Sequence, residues 1–245
     1  MDAMIFISSG GAEQMLNAQA VHANNLANVN TVGFRSDRVQ FSSVSVPGPG
    51  LNTKTYAYAI EPQTDFDAGE LIPTKRSLDV AIEGDGWIAV QAKDGTEAYT
   101  RDGGFTINAE GVLMTRNNIP VLGGGGPITI PPAQKIDVGI DGTITIVPLE
   151  GTANQEIILD RIKLVKPDKA DLQKGKDGLI RNKSGAAAEP DATVRLMNGY
   201  LEGSNVSAVE SLTHMISIAR QYEMQMKAMH FAHDNDKATQ DLLMV

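Results

Sequence analysis

Proline and glycine are confined to the middle of this chain. All eleven prolines lie between Pro47 and Pro190, and every glycine except Gly10 and Gly11 lies between Gly33 and Gly203. Residues 204–245 contain neither. Proline removes a backbone donor and glycine costs backbone entropy, so a segment that excludes both is free to form a long helix. The interior must turn often. Two apolar-striped helices at opposite ends have no helical neighbour in sequence, so their stripes need each other or copies of the same ends on neighbouring subunits. The expected fold is α+β, with N- and C-terminal helices packing as a coiled-coil-like assembly domain and a central all-β domain.

The N-terminal segment, residues 1–34, places Ile5, Ala12, Leu16, Ala20, Ala23 and Ala27 at helical spacing. Alanine dominates, which predicts a close, thin seam. Asn28, Asn30, Thr31 and Gly33 then stop the helix, because Asn and Gly tolerate the left-handed conformation. Glycine at position 33 is expected to have a positive φ or to sit where another backbone approaches closely.

The C-terminal segment, residues 204–245, opens near Asn205. Ser207 and Glu210 have the S-x-x-E spacing of a capping box. Val209, Leu212, Met215, Ile216, Ala219, Tyr222, Met226 and Met229 follow in steps that suit one apolar face. A lone amphipathic helix of this length is unstable in water without a partner for its stripe.

Between the ends, residues 77–166 read as a β domain. Leu78, Val80 and Ile82 alternate with polar or small residues. Gly84-Asp85-Gly86 then turns the chain into Trp87-Ile88-Ala89-Val90. Ile136, Val138 and Ile140 lead through Asp141-Gly142 to Thr143–Ile146, a hairpin signal. Ile157 to Val165 is a further strand candidate. Residues 35–76, with Ser42-Ser43 and Pro47-Gly48-Pro49-Gly50, read as an extended connecting segment, and residues 167–203 as a return segment.

Composition excludes several kinds of chemistry. Net charge is −9, which disfavours a nucleic-acid surface. There is no cysteine, so disulfides and thiol chemistry are absent. No apolar run reaches membrane-spanning length, and the first Lys or Arg is Arg35, which does not fit a cleaved secretory signal. Gly123–Gly126 lacks the Lys-Ser/Thr pair and following helix of a phosphate loop. His230, His233, Asp234 and Asp236 sit on a polar helix tail without a third ligand at a diagnostic interval. No catalytic residue, cofactor or metal is therefore expected.

Three stretches in order resemble the axial proteins of the bacterial flagellum, the rod and hook family. They are NNLANVNTVGFR (Asn24–Arg35), LDVAIEGDGWIAVQAKDGTEAYTRDGGFTINAEGVLMTRNNIPVLG (Leu78–Gly123) and LEGSNVSAVESLTHMISIARQYEMQMKAM (Leu201–Met229). The opening MDAMIFISSGGA, the WIAVQ strand, DRIKLVKPD and GKDGLIR favour a proximal-rod member. The resemblance implies a structural subunit of the periplasmic rod that polymerises through its terminal helices, transmits torque and leaves the cell by flagellar type III export. Its implied partners are other rod proteins and copies of itself, without nucleic acid or stable membrane insertion. The assembly interface would use Leu16, Ala23, Asn25, Leu26, Asn28, Thr31, Gly33 and Phe34 at one end. At the other it would use Val209, Leu212, Met215, Ile216, Ala219, Tyr222, Met226 and Met229. A distal-rod or hook protein is the nearer alternative, and a secreted β-domain glycan binder or enzyme the more distant one.

Overall fold

A computed structural model describes residues 2–45, 55–149 and 156–243. The Pro47–Gly50 motif lies outside the described residues. The chain divides into two compact units, one of residues 1–29, 36–65 and 206–245, the other of residues 30–35 and 66–205.

The first unit is built from two helices and a hairpin. Helix α1 spans Asp2–Ala27 and helix α2 spans Ala208–Leu243. Strands β1 (Asp37–Ser45) and β2 (Thr55–Thr64) pair antiparallel, Asp37 opposite Thr64 and Ser45 opposite Thr55. The segment read as connecting chain therefore carries a ladder. Its physical basis is the β-branched and aromatic content of Val39, Phe41, Val44, Tyr56 and Tyr58.

Each helix end has a local cause. Asn28 N–H is shared between the Asn24 and Asn25 carbonyls at 3.2 and 3.1 Å, the tightened turn that closes α1. At the start of α2 the Ser207 hydroxyl accepts from Glu210 N–H at 3.4 Å, and the Ser207 carbonyl accepts from Ser211 N–H at 3.0 Å. Ser207 is thus the N-cap, as the S-x-x-E spacing indicates. At 1.5 Å per residue α2 is about 54 Å long.

The helices pack antiparallel. Gly11 faces Gln225, whose amide would lie 3.1 Å from a Cβ at position 11, and farther along, the His22 and His214 rings stack. The buried positions of the seam are mostly small or polar. Ser8, Ala12, Ala18 and Asn25 are buried on α1, and Ser211, Ile218 and Ala232 on α2. On α2 Ser211, Ile218 and Ala232 are buried, and positions 208, 215, 219, 222, 225, 226, 228, 229 and 236 are half-buried beside them. Several large apolar side chains lie outside these positions: Phe6 is 65% exposed, Ile216 57% and Phe231 66%.

The second unit is a set of short antiparallel sheets. Its strands are β3 (Leu71–Pro73), β4 (Val80–Glu83), β5 (Trp87–Gln91), β6 (Glu97–Thr100), β7 (Phe105–Ile107), β8 (Leu113–Thr115), β9 (Ala133–Val138) and β10 (Thr143–Pro148). They continue with β11 (Ile157–Arg161), β12 (Leu164–Val165), β13 (Leu172–Lys174), β14 (Ile180–Asn182), β15 (Arg195–Asn198) and β16 (Tyr200–Glu202). One sheet has the order β12-β5-β6-β14-β13, another β11-β10-β9. Strands β4 and β3 pair with β15 and β16, so residues after 166 close the same unit. Gly142 turns β9 into β10 with φ +84°, at the Asp-Gly step that marks the hairpin.

Strand β5 explains why WIAV reads as an unbroken apolar run. Ile88 and Val90 enter a core with Val80, Phe105, Leu113, Val121, Ile144 and Ile162. Trp87 and Ala89 point to the opposite side, into a second cluster with Tyr99, Val165, Leu172 and Ile180. Both faces are covered, so alternation disappears from the sequence. Gly123 N–H donates to the Gly126 carbonyl at 2.7 Å, making the four-glycine run a tight turn.

The His22–His214 contact gives the helical pair a pH response. The ring centroids are 5.2 Å apart and the planes 23° from parallel, with His214 Nε2 3.6 Å from Glu210 Oε1. Burial first, then the neighbouring His214, holds the His22 imidazole below its ordinary value, with Glu210 acting the other way. The folded state therefore binds the proton less readily than the unfolded chain. This contribution is fully present above the folded and unfolded values and is lost as pH falls through the ordinary histidine range of about 6.5. Hydrogen exchange, corrected for intrinsic rates, should show α1 and α2 amides losing protection as pH falls from about 7.5 to 5.5. His22→Gln should flatten that loss, and an unchanged slope in the variant would assign it to other groups.

Candidate assembly interface

The residues expected at the interface separate into three groups. Met215, Ala219, Tyr222, Met226 and Met229 are half-buried along the α2 seam. Val209, Leu212 and Ile216 lie outside it, at 76, 49 and 57% exposure. The apolar stripe read from sequence is therefore wider than one seam. On α1, Leu16 and Ala23 are exposed and Leu26 is half-buried, while the internal line runs through Ala12 and Ala18 instead. Leu16 and the Val209–Leu212–Ile216 row remain as apolar side chains without cover in the single chain.

The third group, from the NNLANVNTVGFR motif, serves the chain's own structure. Asn25 is buried and holds the start of β1: its Nδ2 donates to the Asp37 carbonyl at 2.7 Å, and its Oδ1 accepts from Asp37 N–H at 3.0 Å. One side-chain amide thus satisfies both backbone groups of one residue, which an apolar residue cannot do. Asn28 Nδ2 donates to the Asn24 carbonyl at 2.9 Å. The Thr31 carbonyl accepts from Phe34 N–H at 3.3 Å, bending the chain into Gly33, whose φ is +68°. A Cβ on Gly33 would stand 2.4 Å from both the Arg101 carbonyl carbon and Asp102 N, so backbone contact and backbone angle each exclude a side chain. Phe34 is half-buried, with Lys174 Nζ 4.1 Å from its ring centroid, and the same ammonium donates to the Arg35 carbonyl at 2.7 Å.

Arg35, the last residue of the motif, leads to a buried ionic triad. Its guanidinium donates to Glu202 Oε1, and Arg101 donates to Glu202 Oε2 at 2.8 Å. All three side chains are almost wholly buried. Glu202 Oε1 also accepts from Gly69 N–H at 3.0 Å, and the Glu202 carbonyl accepts from Gly33 N–H at 2.8 Å. Both guanidinium carbons lie over the Trp87 ring, at 5.8 Å for Arg35 and 5.2 Å for Arg101, and Phe66 meets Trp87 edge-on at 5.7 Å. Burial pulls the Arg101 guanidinium down from its ordinary value, and Glu202 opposes that. Two cations share one carboxylate, and the indole face takes up part of the excess charge. The sequence reading missed Glu202, Arg101 and Trp87, because nothing in a strand such as Tyr200-Leu201-Glu202 signals that its acid is buried.

Removing the carboxylate should show its role in stability. Glu202→Ala leaves two guanidiniums buried together without a counter-charge, a change that typically costs about 3–5 kcal/mol. Denaturant unfolding of the full chain, read by tryptophan fluorescence, should shift by that amount. A loss below about 1 kcal/mol, the size expected of a surface pair, would contradict the buried-triad account.

Comparison with known proteins supports the same division into helical ends and a β region. The family model described as flagella basal body rod protein matches residues 6–35. The flagellar hook protein FlgE/F/G D1 domain matches residues 81–146, and the flagellar basal body rod FlgEFG protein C-terminal model matches residues 197–242. The flagellar basal-body rod protein FlgF of Salmonella typhimurium is 42% identical over 249 residues, covering 99% of each chain. That of Escherichia coli K12 is 41% identical with the same coverage. The flagellar basal-body rod protein FlgG of Bacillus subtilis is 33% identical over 228 residues, covering 84% of this chain and 86% of its own. Among the described residues no helix is long and apolar enough to cross a membrane. With both ends and the centre matched in order and FlgF sequences similar throughout, the chain belongs to the FlgF family of flagellar basal-body rod proteins.

Proposed function

We propose that this chain is a structural, non-catalytic subunit of the proximal rod. It polymerises through its terminal helices with copies of itself and other rod proteins, and it transmits torque along the periplasmic part of the basal body. The observation that carries this reading is the placement of apolar groups on the helical pair. The internal seam is thin, while Leu16, Val209, Leu212, Ile216 and Phe231 face outward. A helical pair that leaves several large apolar side chains outside its own seam has a second surface to cover. Fully burying such a side chain contributes about 1.5–3 kcal/mol, so several together offset the cost of fixing a subunit in a filament.

The buried α2 positions Ser211, Ile218 and Ala232 are separated by multiples of seven residues, which suits coiled-coil-like packing in which neighbouring subunits extend the same arrangement around the rod. Asn25, Asn28, Thr31, Gly33 and Phe34 contribute to assembly by fixing where the N-terminal helix ends. The absence of cysteine suits a chain exported unfolded. FlgF relatives are more similar than FlgG relatives, which favours the proximal position over the distal one.

The outward row provides the test. Leu212→Asp or Ile216→Asp leaves the β unit and the α1–α2 seam intact, since both positions are exposed in the single chain. In the rod, either variant places an unpaired carboxylate in an interface, at a cost of several kcal/mol. Secreted variant should accumulate without entering purified basal bodies, and motility should be lost. Normal motility at wild-type protein level would rule out packing through this row.

A further inference from the structure

Next to the buried triad the β unit has an open cleft of about 480 Å3. Trp87 and Phe66 supply apolar wall, Arg101 supplies fixed positive charge, and Lys166 and Lys169 stand at its margin. Two carboxylates also line it, and both are engaged within the chain. Asp85 pairs with Lys169 at 3.1 Å, and Asp168 Oδ1 accepts from Ala170 N–H at 3.1 Å, capping a short 3-10 turn at Lys169–Asp171. Arg101 shares Glu202 with Arg35 and donates to the Gly84 carbonyl at 2.8 Å, and its buried Nε has no hydrogen-bond partner among the described residues. Lys166 is exposed and makes no ion pair among them. With the triad included, four cations (Arg35, Arg101, Lys166 and Lys169) stand against three carboxylates (Glu202, Asp85 and Asp168), which leaves one positive charge beside an aromatic wall.

We infer that this cleft is a docking site for an acidic side chain of a neighbouring polypeptide, a carboxylate on an aliphatic stem. The carboxylate would lie between Arg101 and Lys166, and the stem against Phe66 and Trp87. A single negative charge fits better than a phosphate, whose second charge would stand near Asp85 and Asp168. The occupant is also abundant on candidate neighbours, because this chain carries 30 Asp and Glu against 21 Lys and Arg. The site lies wholly within the β unit, so it is a contact beyond helix-mediated polymerisation. Only the identity of the neighbour rests on the rod reading.

Trp87 is the chain's single tryptophan and lines this cleft, so under native conditions its fluorescence reads events there. The full chain is titrated with an acetylated and amidated Leu-Glu-Leu peptide, its Leu-Gln-Leu counterpart, and inorganic phosphate. The Glu peptide should give a saturable change that weakens with added salt, and the Gln peptide should bind about tenfold more weakly or worse. Lys166→Gln, at an exposed position, should weaken the Glu peptide severalfold while the fold, read by circular dichroism, is unchanged. The proposal is overturned by the absence of a saturable change, by equal binding of the Gln peptide or of phosphate, or by an unaltered response in Lys166→Gln. Because the titration uses the unassembled chain, its failure is distinct from a failure of helix-mediated assembly. A chain that binds the peptide yet does not enter basal bodies would separate the two.

Discussion

The carboxylate of Glu202 is the point on which three separate parts of the β unit converge. It holds Arg35 from the N-terminal motif, Arg101 from the loop after β6, and the Gly69 amide from the approach to β3. A buried carboxylate with these partners has nowhere else to place its charge, and the guanidiniums are almost wholly buried with it. Ion pairs of this kind add little net stability over a well-packed apolar core, but breaking one is expensive. The triad therefore selects one arrangement of these segments against near alternatives. Gly33 follows from the same constraint, since Arg35 reaches the acid only if residue 33 passes against the backbone of Arg101 and Asp102.

The helical unit is organised by the opposite principle. Its seam uses Ser8, Gly11, Ala12, Ala18, Ser211 and Gln225, which allow close approach but bury little apolar area. Larger groups such as Ile218 and Met215 join them on α2, while Leu16, Leu212 and Ile216 stay exposed. The buried amide of Asn25 and the stacked histidines add direction without adding much hydrophobic stabilisation. A strong, self-sufficient hairpin would have less to gain from joining a filament.

Much of this was legible in the sequence, for definite reasons. Breaker-free ends gave the two helices, Asp141-Gly142 gave the β9–β10 hairpin, Ser207 gave the α2 cap, and the position of Gly33 after Asn30-Thr31-Val32 gave its left-handed angle. What remained hidden has physical causes too. The α2 seam recurs every seven residues at Ser211, Ile218, Gln225 and Ala232, but two of those four are polar, so a search for apolar periodicity passes over it. The stripe found instead mixed the inner line with the outer row. The β1–β2 ladder was obscured by serines at positions 42, 43 and 45. The triad was invisible because a charged residue in sequence carries no mark of burial, and its partners lie far apart along the chain.

That distance bears on how the molecule comes into being. Arg35 and Glu202 are separated by 167 positions, so closing their contact requires almost the whole chain to be present. Contacts of such long range form late, after local turns and hairpins have shortened the effective loop. A chain that emerges from its N-terminus, from a ribosome or through a narrow conduit, has the NTVGFR junction available from the start but no acid to anchor it. The junction stays unlatched until β16 arrives. The β unit is then completed only once that strand is in place.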